Sequence, residues 1–365
     1  MRFLVIAAFF LSLGSVRAQA PQKTYVYDTV AGTRLLMDYY APAFISTAGA
    51  PVLLFIHGGC FSMGSRRDIP ADVKKMTEDG FAVFSVDYRP STVAKYPAAV
   101  TDVQQAVRAI RRSSQRLKLN PGQIFVHGES AGGYLAAILG VRSLPDRQGN
   151  LDHHSAPVRF VSDWFGRTDF TAPQNTGTDC AEGFLGLSRN ASTMEAFRRA
   201  SVTASVHPSA AKFLMIHGSR DQQVYPVHST NLATALKRLG KSSALYFYQG
   251  QGHGFPRAIP WALTRQAMLE ELGVPRTEAP GSVRKIHYRL FERGNLQGSY
   301  ELGLNFPNGD SFPLIASGSA ADFPADTRTL GGWFGVIAGT EAPVLVLKAP
   351  RTQDQGALEL TVEED

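Results

Sequence analysis

Ser130, Asp221 and His253 are the side chains whose types and order could together carry out nucleophilic acyl chemistry. A serine hydroxyl attacks a carbonyl poorly unless it is exposed, held rigid and placed beside a base. Ser130 sits in Gly128-Glu129-Ser130-Ala131-Gly132-Gly133, between the apolar run Gln123–His127 and the helix-forming run Tyr134–Leu139. That reads as strand, sharp turn, helix, with Gly128 and Gly132 letting the backbone turn tightly and pack closely. Asp221 follows His217-Gly218 at the end of the apolar run Phe213–Ile216. His253, in Gln249-Gly250-Gln251-Gly252-His253-Gly254-Phe255, follows the run Ala244–Tyr248. In that order they would serve as nucleophile, acid and base: His253 would take the serine proton, and Asp221 would hold the imidazole tautomer. A fourth piece is His57-Gly58-Gly59-Cys60-Phe61, directly after the strand-like Val52–Ile56. Backbone N–H groups at Gly58 and Gly59, with that of Ala131, would form an oxyanion hole.

The pattern Gly-x-Ser-x-Gly by itself is common in Gly-rich chains. Its strand–helix setting and the ordered partners give it weight. The competing residues read more simply. His57 shapes the turn that it opens, and His127 and His217 end strands and are expected to pack. His153-His154 has no Asp, Glu or Cys set at ligand spacing, so a solvated pair is expected and no metal. Glu129 should point away from the serine and act structurally. Asp87, in Val86-Asp87-Tyr88-Arg89, is the rival acid, but it precedes the nucleophile and reads as a structural hydrogen-bonding residue. Asp169 and Asp179 have weaker claims.

These residues need an α/β scaffold. Strands are expected at 24–28, 34–40, 51–56, 81–87, 123–127, 158–163, 212–217 and 244–248, with helical patterns at 96–116, 131–141 and 229–239. Every candidate then falls at the C-terminal end of a strand, where open α/β sheets build their sites. Residues 165–211 read as a cap insertion, in which Phe165, Phe170 and Phe184 are either pocket lining or ordinary cap core. Residues 275–281, Pro-Arg-Thr-Glu-Ala-Pro-Gly, look like a linker. Beyond it, alternating runs such as Lys285–Phe291 and Ala342–Lys348 suggest a β-rich module over 281–365.

On these residues the chain resembles α/β-hydrolases of the esterase/lipase group that carry His-Gly-Gly and Gly-Glu/Asp-Ser-Ala-Gly-Gly. It is most similar to the bacterial feruloyl and acetyl-xylan esterase-like branch. The segments that carry the resemblance are Phe55–Gly59, Ser85–Arg89, Val126–Gly133, Ile216–Asp221 and Gly252–Phe255. The resemblance implies an α/β-hydrolase fold over 21–280, the triad Ser130, Asp221 and His253, ester substrates including polysaccharide-linked ones, and no cofactor. It does not extend over the β-rich module. The chain departs from the pattern at Cys60, where a third glycine is usual, and at Ser219, where an acidic residue is common.

Met1-Arg2, the apolar stretch Phe3–Leu13 and Val16-Arg17-Ala18-Gln19-Ala20 read as a signal peptide over 1–20, too short to span a membrane. A secreted or periplasmic protein is expected. In that setting the two cysteines allow one bridge, Cys60–Cys180, against the alternative of two buried thiols. The net charge of +6 is uneven: from 281 onward seven Lys/Arg face eleven Asp/Glu, which leaves +10 on the first 280 residues. A mildly basic surface suits acidic polysaccharide or the cell envelope, but no Lys/Arg block with interleaved aromatics argues for nucleic acid. Three functions stay open: a polysaccharide-directed ester hydrolase, a short-chain acyl or lipid esterase or amidase/peptidase on the same triad, and a non-catalytic carbohydrate- or surface-binding protein. Retention of Ser130, Asp221 and His253 weighs against the last.

Overall fold

A computed structural model describes residues 20–172, 180–241, 243–248 and 251–274, and the strands within 283–361. The leader at 1–19, Asp179 and the linker at 275–281 lie outside the described residues. In chain order, strands β1 (Lys23–Val30), β2 (Thr33–Tyr40) and β3 (Ala50–Ile56) come first. Helix α1 (Ala71–Lys75), β4 (Ala82–Val86), α2 (Ala98–Arg112), α3 (Ser114–Leu117), β5 (Leu119–Glu129) and α4 (Ala131–Val141) follow. Then come β6 (Phe160–Trp164), α5 (Cys180–Leu185), α6 (Met194–Ala200), β7 (Lys212–Gly218), α7 (Val227–Arg238), β8 (Ser243–Tyr248) and α8 (Ala258–Glu271). Strands β9 (Val283–Glu292), β10 (Asn295–Asn305), β11 (Trp333–Ile337), β12 (Val344–Lys348) and β13 (Gly356–Thr361) complete the set.

The main sheet runs β1-β2-β4-β3-β5-β6-β7-β8-β11-β12. From β4 through β8 every neighbouring pair is parallel, while β1 and β2 lead in antiparallel. Parallel strands need both faces covered, and β3 shows how the sequence meets that need. Its Val52, Leu54 and Ile56 enter one apolar cluster with α2, α4 and α7, while Leu53 and Phe55 enter a second with α1 and α8. Burial on both faces is why these strands read as continuous apolar runs rather than alternating ones. This is the α/β sheet that the order of elements predicts, and the α/β-hydrolase scaffold that the resemblance implies.

The structure differs from the sequence reading in three places. The expected helix at 96–116 breaks at Ser113 into α2 and α3. Helix α8 is additional. Its Pro260 lies in the first turn, where a missing N–H costs nothing, but where a pattern search takes it as a stop. Beyond residue 280, β9, β10 and β13 form a sheet of their own. β11, however, pairs in parallel with β8, and β12 in turn with β11, so two strands of the expected module extend the main sheet. A strand laid on β8 satisfies backbone groups that an edge strand would leave open.

Candidate active site

Strand β5 ends at Glu129 and α4 begins at Ala131, so Ser130 alone makes the turn, with φ 56° and ψ −118°. Left-handed backbone is uncommon for a residue with a side chain and marks a position that its surroundings hold in place. Those surroundings are tight. A Cβ on Gly128 would stand 2.1 Å from the carbonyl oxygen of Gly132, and one on Gly132 would stand 2.0 Å from that of Ile56. Only hydrogen fits at either position. The Ser130 N–H donates to the Trp164 carbonyl at 2.9 Å, which ties the turn to β6.

His253 Nε2 lies 3.0 Å from Ser130 Oγ, and His253 Nδ1 lies 2.7 Å from Asp221 Oδ2. Three residues far apart in the chain thus form one hydrogen-bonded series. Asp221 is buried, and burial alone would raise its pKa. Hydrogen bonds from His217 and His253 overcome that and hold the carboxyl well below the usual carboxylate range. Its Oδ1 accepts the N–H groups of Gln223 and Val224, each at 2.9 Å. The carboxylate is therefore fixed on both oxygens, with its imidazole partner aimed at the serine. The ring of Phe165 meets that of His253 edge-on at 4.8 Å between centroids.

Gly58 lies beside the nucleophile: a Cβ there would be 3.5 Å from the Ser130 Cβ. Gly59 has φ 106°, and a Cβ there would stand 2.2 Å from the Met63 carbonyl oxygen. Ala131 is the first residue of α4, where backbone N–H groups have no intrahelical acceptor. The structure thus brings the turn at 58–59 and the start of α4 to the same serine. Cys60 follows with φ 53° and is bonded to Cys180 at the start of α5. The bridge, rather than two free thiols, is the state of these cysteines.

The other candidates lie elsewhere in the network. Asp87 accepts the Arg66 N–H at 2.7 Å and its Nη1 at 2.8 Å, away from the histidine–serine pair. Asp169 accepts from Asn231 Nδ2 at 2.7 Å. His57 stacks on Tyr88 at 4.3 Å and lies 2.8 Å from the Gly58 carbonyl through Nδ1. Phe170 and Phe184 are fully buried, packed with Phe61 and Tyr134. His153 and His154 contact one another, and among the described residues there is no cluster of three or more potential metal ligands.

Sequence reasoning missed three residues. Arg257, four positions after His253, pairs with Glu129 and with Asp72, the latter at 2.7 Å, and covers the Trp164 ring at 4.7 Å. It ties the histidine loop to the residue before the nucleophile. Burial alone would raise the Glu129 pKa, but hydrogen bonding to His127 and the charge and hydrogen bond of Arg257 hold it down at about 2. His217 has its Nε2 2.8 Å from the Val224 carbonyl and 3.3 Å from Asp221 Oδ2, with Nδ1 2.8 Å from Ser229 Oγ. Packed it is, but packed onto the candidate acid. Asp163, fully buried behind the elbow, accepts the Gly166 N–H at 2.9 Å, and burial pushes its pKa up to about 7. None of the three contacts left a local signal in the sequence, because the partners lie far apart in the chain or inside buried strands.

Comparison with known proteins gives the same frame. The BD-FAE family model matches residues 37–236. Esterase LipC of Mycobacterium tuberculosis is 30% identical over 228 residues, covering 60% of this chain and 57% of that protein. Esterase LipQ of the same organism is 27% identical over 270 residues, covering 72% of this chain and 64% of that protein. The chain thus spans 57% and 64% of the length of these two relatives. A solved structure described as a truncated form of a carbohydrate esterase from gut microbiota superposes with a TM-score of 0.58 at 23% identity. That match covers 69% of this chain and 97% of the other, and it speaks for the fold alone.

Proposed function

The chain belongs to the BD-FAE family, and on that premise we propose that it is a secreted serine hydrolase of carboxylic esters. The single observation that carries the proposal is the series Ser130–His253–Asp221, at 3.0 and 2.7 Å, set on a left-handed serine turn. As Ser130 Oγ attacks an ester carbonyl, His253 Nε2 accepts its proton and then passes it to the departing alkoxide. Asp221 keeps the Nδ1–H tautomer and stabilises the imidazolium. The N–H groups of Gly58, Gly59 and Ala131 hold the tetrahedral oxyanion. A donor of this kind is worth about 3–4 kcal/mol of barrier. Water, activated by the same histidine, then attacks the acyl-enzyme and releases the acid.

For substrate, we propose feruloyl or acetyl esters carried on plant polysaccharide. Family membership and the esterase relatives support the reading. Export is supported by the leader-like residues 1–20 and by the Cys60–Cys180 bridge, a bond typical of oxidising compartments. Among the described residues no helix is long and apolar enough to cross a membrane. The test is a panel of p-nitrophenyl esters of rising chain length, methyl ferulate and acetylated xylan. Turnover that rises with acyl length while ferulate and xylan stay inert would move the assignment to an acyl or lipid esterase.

A further inference from the structure

We infer that helix α5 positions the oxyanion turn, through two adjacent grips on that turn: the Cys60–Cys180 bridge and the stacking of Phe184 on Phe61. This inference rests on the esterase reading above and assigns it a positioning element outside the triad.

Gly59, Cys60 and Phe61 are three consecutive residues with positive φ, at 106°, 53° and 58°. Only the first is a glycine, and side-chain-bearing residues rarely adopt such backbone without support. Two of the contacts that support them come from one helix. Cys180 and Phe184 are four residues apart in α5 and so share a face. Cys180 is bonded to Cys60, with Cα atoms 5.2 Å apart. Phe184 stacks on Phe61 at 4.0 Å and 15° between ring planes. Phe61 also meets Tyr134 edge-on at 5.4 Å, one turn into the helix that follows Ser130. The Phe61 carbonyl accepts the Ser91 N–H at 2.7 Å. The two side-chain-bearing residues that follow the Gly58-Gly59 pair are therefore held from the cap side, while Gly58 itself abuts Ser130.

Helix α5 has six residues, too few to be stable on its own, so its anchors fix its place. Besides the two grips, the Tyr96 N–H donates to the Phe184 carbonyl at 2.9 Å and Lys95 Nζ donates to the Gly183 carbonyl at 2.8 Å. Releasing the bridge leaves Cys60 in left-handed backbone with no covalent partner. Gly58 and Gly59 then sample positions displaced from the oxyanion. Ground-state ester, which charges its carbonyl oxygen little, is affected less. The signature is thus a loss in kcat with KM nearly unchanged.

The experiment compares the full chain with Cys180→Ala, and with wild type treated with dithiothreitol, whose two thiols reduce the bridge to two cysteines as it closes to its own cyclic disulfide. Turnover of p-nitrophenyl acetate is the readout, alongside far-UV circular dichroism to confirm folding. Deleting one oxyanion donor typically lowers kcat by about 10²–10³-fold, and a displaced donor is expected to lower it by about tenfold or more. KM should stay within about twofold. A second readout is the rate ratio of an ester to its thionoester, which reports on the oxyanion contact and should fall with kcat. A folded Cys180→Ala protein with wild-type kcat and ratio overturns the inference. Should Cys180→Ala fail to fold, Phe184→Leu, which retains the bridge, is judged on the same kcat and ratio. Wild-type protein that hydrolyses no ester at all would sink the esterase reading itself, a distinct failure.

Discussion

Replacing Arg257 by methionine removes the cation that joins the histidine loop to the nucleophile strand. Glu129 is held at about 2 against an ordinary 4.5, which corresponds to about 3 kcal/mol of stabilisation if all of it survives. Burial works against that shift, and His127 shares with Arg257 the work of overcoming it, so losing Arg257 forfeits roughly half, about 1.5 kcal/mol. Loss of the cation over Trp164 and of the half-buried, two-bond pair with Asp72 together adds about 1 kcal/mol. The expected penalty near pH 7 is about 2–3 kcal/mol, read by urea unfolding with the disulfide intact. The folded-state pKa of Glu129 lies below its unfolded value. Its contribution is therefore complete above about pH 4.5 and vanishes as pH falls through about 2. The ion-pair part of the Arg257→Met penalty should accordingly shrink by about half, roughly 0.7 kcal/mol, between pH 7 and pH 2.5, which still lies above the folded pKa of about 2. An Arg257→Met protein as stable as wild type at pH 7, or one whose penalty does not change with pH, would refute this account of the ion pair.

Two further substitutions probe the buried groups. Leucine at 217 leaves the Val224 carbonyl and the Ser229 hydroxyl without their partner and takes a donor from Asp221. A loss of about 2–4 kcal/mol in urea unfolding is expected, together with a tenfold or larger fall in kcat per folded molecule. Wild-type kcat in His217→Leu would remove that residue from the acid's support. Asp163 has the opposite sign to Glu129. Its folded pKa is raised to about 7 from 3.8, so its burial costs stability increasingly as pH climbs from about 4 to 7, where the unfolded chain ionises and the folded one does not. Asp163→Asn abolishes that cost, and its stability relative to wild type should rise by about 2–4 kcal/mol between pH 4.5 and pH 8. A difference independent of pH would contradict the assignment of a neutral Asp163.

Much of the scaffold was legible because the elements declare themselves locally. The Gly128 and Gly132 spacing around Ser130 encodes a turn that admits no Cβ at either position, and the apolar runs at 52–56 and 213–216 are strands buried on both faces. The pieces of the candidate site were legible for the same reason, since each follows a strand. What escaped was long-range. Arg257 finds Glu129 and Asp72 across 128 and 185 positions, and no local pattern encodes such a meeting. His217 and Asp163 lie in strands where full burial hides any polar periodicity. The break at Ser113 is equally silent, because good helix formers flank it, Arg111 and Arg112 before and Gln115, Arg116 and Leu117 after. Phe170 and Phe184 were ambiguous between pocket and core. Their partner Phe61, left-handed on the oxyanion turn, decides for core.

The central claim is that Ser130 is the nucleophile. The most direct measurement is the intact mass of the protein after exposure to a fluorophosphonate, followed by mapping of the modified peptide. Wild type should gain one phosphonyl group, on Ser130, with loss of ester turnover in proportion, and Ser130→Ala should gain none. Stoichiometric labelling of Ser130→Ala at another residue, or undiminished p-nitrophenyl acetate turnover in that variant, would contradict the claim.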